Sequence, residues 1–306
     1  MPATDPYKLS AHTAPATWTC LAAARAQSLP RQTWQVSTPA GRVAVGSVEV
    51  RHLPLLQAQW PRAWRHNGTE GWCLLADAPE RTAVLAQMGH VLHAQGLVRA
   101  WRDEPYGLWD AEGQTHAEIE RATARFWGSL TLGVHCNGYQ ADAQGRPTHL
   151  WIAQRALDKP TDPGMLDNLI GGGVPLGQTP REALLREAWE EAGLTAAHMA
   201  GLQRGGVLEL RCDIPEGLQH EWLHIYDLAL PPGVQPCNQD GEVAQHRLLP
   251  VAQALALAAR GALTVDAALA TLDFALRHGL LADPALAQAL QDLRVPSARA
   301  GCFDRP

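Results

Sequence analysis

The chain has 306 residues, 46% hydrophobic and 18% charged, with 25 basic against 31 acidic side chains; that globular balance excludes disorder, collagen-like repeats and coiled coil. A net charge of −6 leaves no basic surplus to neutralise a phosphate backbone, so sequence-general nucleic-acid binding is disfavoured while a local cationic pocket stays open. At about 150 residues per domain, the length predicts two compact domains, each able to bury a core without disulfide staples.

The first residues, Met1-Pro2-Ala3-Thr4-Asp5-Pro6, carry no basic stretch followed by an apolar one, and no run approaches the roughly 18 apolar residues of a membrane span. A soluble, cytoplasmic protein with no membrane partner is expected. Cys20, Cys73, Cys136, Cys212, Cys237 and Cys302 lie far apart with no C-x-x-C pair, which argues for free, mostly buried thiols over a zinc knuckle or a disulfide framework.

Residues 17–29 and 79–95 read as helices, and 115–126 opens with a Thr-x-x-Glu cap signal before its own apolar positions. Between the first two, Trp34 to Val36, Arg42 to Val50 and Trp72 to Leu75 are β-rich and separated by Pro, Gly and Asn. Most tryptophans precede residue 128, so a heavily aromatic α/β core is expected there. Further on, Leu130 to His135 and Leu150 to Ala153 flank a Gly145-Arg146-Pro147 turn, which predicts a hairpin. A Pro/Gly-rich loop over 159–178, a helix over 180–192, strands near 205–212 and 221–230, and Ala/Leu-rich helices from 251 onward complete the chain. The expected organisation is a smaller α+β domain over 1–128, an α/β domain over 129–293 with a mixed sheet sandwiched between helices, and a loosely held tail over 294–306.

The helix over 180–192 carries the chemistry. Thr179-Pro180-Arg181-Glu182 is a capping box with proline at the first helical position, and Gly193 supplies the stop. At roughly 100° per residue, Leu185, Ala188, Trp189 and Ala192 form an apolar face, while Glu187, Glu190 and Glu191 crowd into one arc on the other side. A solvated acidic face is the ordinary explanation of such a cluster. Against it, Arg186 is the one neighbouring countercharge, and carboxylates about 7 Å apart repel by ~2 kcal/mol at an effective dielectric of 20. Hard oxygen ligands of this kind suit Mg²⁺ or Mn²⁺. The preceding Gly171-Gly172-Gly173-Val174-Pro175-Leu176-Gly177 loop lets the backbone approach a ligand closely but lacks the Gly-Lys-Ser/Thr ending of a P-loop. Just upstream, Lys159 and Arg155 are placed either to meet an outer phosphate or to lie solvated at the surface.

Read together, Gly172 through Leu194 resembles the Nudix box. Gly172, Arg186, Glu187, Ala188, Glu190, Glu191, Gly193 and Leu194 match its pattern, and Gln178 stands where its first glutamate belongs. The resemblance extends over about 100 to 245: Trp101-Arg102-Asp103-Glu104-Pro105-Tyr106, Gly133-Val134-His135-Cys136-Asn137-Gly138-Tyr139, Lys159 through Asn168, Tyr226-Asp227-Leu228 and Asp240-Gly241-Glu242-Val243 look like the thiamine-pyrophosphokinase-related Nudix subfamily. The resemblance implies a Nudix fold behind an amino-terminal domain and metal-dependent hydrolysis of an organic diphosphate, with thiamine diphosphate or its oxidised analogues favoured and cut to the monophosphate. Nucleoside diphosphate derivatives and dinucleotides such as ADP-ribose and NADH are the alternative substrates, and a catalytically silent, ligand-binding regulatory module is the alternative class.

By the same resemblance, Glu187, Glu190, Glu191 and the Gly172 carbonyl would hold Mg²⁺ or Mn²⁺, Arg186 would orient the carboxylates, and the general base would be a box glutamate such as Glu190 or the later loop residue Glu242. The implied partner is a small-molecule diphosphate, with no nucleic acid; oligomeric state stays open, a homodimer among the options.

His220-Glu221-Trp222-Leu223-His224 spells the H-E-x-x-H zinc-protease signature, which makes a metalloprotease the rival enzyme class. That motif works only on a helix, whereas alternation between breakers at 215–217 and 231–233 predicts a strand, in which the two histidines lie about 13 Å apart. His135 and Cys136, adjacent on another predicted strand, point to opposite faces and make a poor nucleophilic dyad.

Overall fold

The computed structural model describes residues 17–304; the leader reading of Met1 to Pro6 lies outside them. In chain order, the amino-terminal half comprises α1 (Thr19–Ala23), β1 (Arg31–Thr38), β2 (Gly41–Glu49), α2 (Leu53–Gln59), β3 (Trp64–His66), β4 (Trp72–Leu74), α3 (Ala78–Ala94), β5 (Pro105–Trp109), β6 (Thr115–Glu120) and α4 (Arg121–Trp127). There follow β7 (Leu130–Ala141), β8 (Pro147–Arg155), β9 (Leu166–Asp167), β10 (Ile170–Gly173), α5 (Pro180–Ala192), β11 (Gln203–Ile214), β12 (Gly217–Ala229), β13 (Val243–Pro250), α6 (Val251–Ala259), α7 (Val265–Arg277), α8 (Pro284–Gln291) and α9 (Ser297–Ala300).

The first sheet runs β2-β1-β4-β3, beside the separate hairpin β5-β6. Its core is aromatic as expected. Trp34 packs against Trp64 and Trp127 with ring centroids 5.6 Å apart in both pairs, and its indole N–H donates to the Trp127 carbonyl at 2.9 Å, which satisfies the one polar atom that its burial would otherwise strand.

The second sheet is mixed, in the order β11-β12-β7-β8-β13, with β10 added on β7 and β9 on β8. β12 and β7 are parallel, and β7 meets β8 as the expected antiparallel hairpin with Tyr139 opposite Leu150. One face buries Leu223 and Ile225 against α6, α7 and α8; the other buries Trp222 and Tyr226 against α5. Alternate residues of β12 thus feed two cores, which is why apolar side chains stand on both of its faces.

Four expectations need correction. The stretch 159–178, expected to be a Pro/Gly-rich loop, contains β9 and β10, because its backbone pairs with β8 and β7. The helix expected over 17–29 stops at Ala23, because the following backbone is drawn along β11: Arg211 and Asp213 donate to the Ala24 and Ala26 carbonyls, both at 2.8 Å, and the Ser28 and Leu29 N–H groups donate to the Asp213 carboxylate. The segment 115–126 begins as strand β6, with Ala117 and Ile119 buried in alternation; the helix starts only at Arg121, capped by the Glu120 side chain on the Ala122 N–H. Residues 294–304 are no loose tail. Val295, Ala300 and Phe303 are buried, with Phe303 edge-on to both Trp109 and Trp222.

His220 and His224 do lie on a strand, β12. His220 bonds Glu209 at 2.8 Å, whereas His224 is fully buried and neither ring nitrogen has a protein partner. Desolvation drives its pKa down to about 4. A histidine near 6.5 in the unfolded chain and near 4 in the folded one leaves stability untouched above pH 6.5 and erodes it as pH falls towards 4, by at most about 3 kcal/mol. Denaturant unfolding of His224→Leu between pH 7 and 4 should therefore show a flatter acid limb than the parent and no loss of stability at pH 7. An acid limb as steep as the parent's would refute this account.

Candidate active site

β10 and α5 build the site. The capping box is formed in full: the Thr179 hydroxyl accepts from the Glu182 N–H, and the Glu182 carboxylate accepts from the Thr179 N–H. Gly193 closes the helix in the left-handed conformation at φ 63°. The buried sector is not the expected one. Trp189 is 53% exposed, while Ala183, Leu184, Ala188 and Ala192 are buried together with Glu187 and Glu191.

Two carboxylates can enter that sector because the strand above them has no side chains: a Cβ on Gly172 would lie 2.2 Å from the Glu187 carboxylate. Gly173 is equally constrained, since a Cβ there would strike the Tyr106 hydroxyl. The Gly171 N–H donates to Glu191 at 2.8 Å.

Two cations contact the helix carboxylates directly, and Arg121 adds a more distant pull on Glu187. Arg186 reaches Glu190 at 2.6 Å and Glu187 at 3.0 Å. Lys159, itself buried, lies 3.3 Å from Glu191 and 2.6 Å from Glu242. Lys159 was singled out from the sequence, but its pairing with Glu191 and Glu242 was not, because the three come from separate segments. Arg155, the other upstream cation, is held by Asp167 at 2.9 Å and by the Thr161 carbonyl. Gln178 does not support Arg186; its side-chain oxygen is buried without a protein partner.

Electrostatics set this helix apart from an ordinary acidic surface. Burial pushes Glu187 up to about 7 and Glu191 up to about 8, against the opposing pull of Arg186 and Lys159 respectively. The protein's own cations thus under-compensate these carboxylates. Burial also opposes ionisation of Glu242, but Lys159 and then Arg102 outweigh it and hold that carboxyl below its usual range. Among the described residues no three His, Cys, Asp or Glu side chains already converge as a closed ligand group. The donor chemistry, buried oxygen donors short of positive charge, nevertheless fits a hard divalent cation.

These residues open on a cleft of about 950 Å³ lined by Glu187, Glu190, Gly172, Lys159, Arg155 and Glu242, among others. Sequence reading missed part of its wall. His135 on β7 bonds the Asn168 side chain at 2.9 Å and lies 3.6 Å from both Asp167 and Asp266; burial lowers its basicity, but the Asp266 contact prevails and raises it to about 10. Glu221 lies over Gly133 and is bonded to the Gln219 amide. His135 and Glu221 stood inside segments that had been noted for other reasons, whereas Asp266 carried no local signal. Cys136 turns into the opposite core, as expected of the neighbour of His135 on a strand. Of the aromatic residues near 101–109, Tyr106 lines the cleft; Trp109 packs on Phe303 and Trp101 stacks on His90.

Residues 137–269 match the NUDIX domain family, and the chain carries a Nudix domain there. It is 35% identical over 212 residues to Nudix hydrolase 24, chloroplastic, of Arabidopsis thaliana, covering 68% of this chain and 57% of that one. Nudix hydrolase 20, chloroplastic, of the same plant is also 35% identical, with 68% and 56% covered. The chain thus spans a little over half the length of the curated relatives it matches. Among solved structures, DR0079 from Deinococcus radiodurans aligns with a TM-score of 0.41 at 23% identity, covering 52% of this chain and 90% of that one.

Proposed function

We propose that this protein is a divalent-metal-dependent hydrolase of an organic diphosphate, with thiamine diphosphate or an oxidised analogue as the favoured substrate. The observation that carries the reaction class is the pair of buried, under-neutralised carboxylates Glu187 and Glu191 beneath the side-chain-free strand of Gly171 to Gly173. Carboxylates kept out of water at a cost are expected where a cation will join them.

Glu187, Glu190, Glu191 and the Gly172 carbonyl would hold Mg²⁺ or Mn²⁺. Bound there, the ion would offset the diphosphate's negative charge and acidify a water molecule. Arg186, bonded to both Glu187 and Glu190, orients their carboxylates. Glu242, ionised through Lys159 and Arg102, is available to take a proton from the attacking water; Glu190, half-exposed at the cleft, is the alternative base. Lys159 and Arg155, which line the cleft, would add positive charge near the phosphates while staying bonded to Glu242 and Asp167.

Support for a cationic organic half comes from the same cleft. Glu221 and Asp266 line it; His135 is the cation facing Asp266, and a positively charged ring beside Glu221 would offset the burial that raises that carboxyl's pKa, as a neutral prenyl chain would not. A product-release screen with Mg²⁺ and Mn²⁺, reading inorganic phosphate from thiamine diphosphate and prenyl diphosphates and AMP from NADH and ADP-ribose, tests the reading. Metal-dependent release from thiamine diphosphate above the others supports it, preference for a dinucleotide overturns the substrate, and no release from any overturns the reaction and favours a silent binding module.

A further inference from the structure

We infer that Arg102, contributed by the amino-terminal half of the chain, is the side chain that grips the substrate's diphosphate. The inference rests on the diphosphate-hydrolase reading of the cleft and names the residue that binds the phosphates within it.

Apart from histidines, six cations line the cleft: Arg102, Arg121, Arg125, Arg155, Lys159 and Arg186. Four are closely committed to carboxylates. Arg121 bonds Glu104 at 2.7 Å, Arg155 bonds Asp167 at 2.9 Å, Lys159 lies 2.6 Å from Glu242, and Arg186 lies 2.6 Å from Glu190. Using any of these on a phosphate would strip a buried or half-buried carboxylate of its partner.

Arg125 and Arg102 are held more loosely, at 4.0 Å from Glu216 and 3.7 Å from Glu242. Glu216 lies between β11 and β12, away from the box helix. Glu242 also contacts Lys159, which contacts Glu191, so only Arg102 of the two is linked to the carboxylates of α5. At 3.7 Å its pair with Glu242 exceeds hydrogen-bond length, which leaves its donors available to a ligand.

The backbone around Arg102 is built to hold it there. Ala100 and Asp103, on either side, take φ of 57° and 56°, the left-handed region that residues with a side chain seldom occupy. Such a conformation persists where the surroundings impose it, and here they do. The Glu120 carboxylate accepts from the N–H groups of Arg102 and Glu104, both at 3.0 Å. The indole of Trp101 donates to Asp103 at 2.7 Å and stacks on His90, 4.7 Å between centroids. A planar guanidinium presented from a fixed turn suits two phosphate oxygens at once.

The test is calorimetric titration of the full chain with inorganic pyrophosphate, alongside kinetics on whichever diphosphate the protein hydrolyses. Arg102→Gln should weaken pyrophosphate binding by about tenfold or more and raise KM similarly with kcat little changed; Arg102→Lys should recover part of the loss. Arg65→Gln, which removes an exposed charge on β3, should match the parent. Pyrophosphate binding in Arg102→Gln equal to the parent's, absence of binding in the parent, or a fall in kcat at constant KM, which would make Arg102 a positioning residue for Glu242, overturns the inference. Binding that depends on Arg102 in a protein that hydrolyses no diphosphate would instead leave the inference standing and remove the hydrolase reading.

Discussion

Glu191→Gln should lower metal-dependent phosphate release by on the order of 10²-fold or more and weaken Mn²⁺ binding, with the folded state intact. The amide still offers an oxygen to the Gly171 N–H, which donates to Glu191 at 2.8 Å, so β10 keeps its attachment to the helix. Lys159 keeps its closer partner, Glu242 at 2.6 Å. What is lost is the ability to present a negative charge to a metal ion at a position 4% exposed. Because burial raises that carboxyl to about 8, its neutral replacement should hold or slightly raise the melting temperature. Activity falling while stability does not is the signature of a group retained for chemistry at the expense of folding. Turnover and Mn²⁺ affinity both equal to the parent's would remove Glu191 from the metal site.

The second large effect is expected at a residue outside the cleft lining. Asp227 on β12 is fully buried and accepts hydrogen bonds from Arg277 at the end of α7, from His278 at 3.0 Å and from the Asn137 amide at 3.2 Å. Arg277 also bonds Asp273 at 2.6 Å, and Asp273 in turn bonds Arg294. This chain of charges fastens α7 and the segment after α8 to the sheet. Removing one member of a buried ion pair typically costs ~3–5 kcal/mol, since the partner charge is stranded. Arg277 keeps 28% side-chain exposure and can recover some hydration, so Asp227→Ala should fall near the lower figure, about 3 kcal/mol. Equilibrium urea unfolding measures it directly. A loss below about 1 kcal/mol would place the pair with ordinary surface ion pairs.

Legibility differed by kind of feature. The box helix was readable to the residue because its signals are local: a capping box, a proline at the first position and a terminal glycine each act within one turn. The hairpin of β7 and β8 and the strand character of His220 to His224 were readable from alternation. The segment 115–126 misled because Thr-x-x-Glu is a weak signal that a strand of alternating burial also satisfies, and pairing with β5 decided the matter. Trp189 was assigned to the core by its apolarity, yet the sheet meets the helix through glycines, leaving space for Glu187 and Glu191 there and turning Trp189 outward.

From the residues alone came the α/β architecture and the acidic helix beneath a glycine-rich segment, expected to be a loop, both of which depend on periodicity, capping and short-range spacing; the Nudix resemblance came from matching Gly172 through Leu194 to a known pattern. Tertiary structure alone decided which charges face each other. Lys159 meets Glu191 and Glu242, Arg155 is taken up by Asp167, Asp266 joins His135, and Arg102 arrives from the first half of the chain. Ion pairing depends on distance in space and on local burial, neither of which spacing along the chain encodes for residues brought together by separate loops.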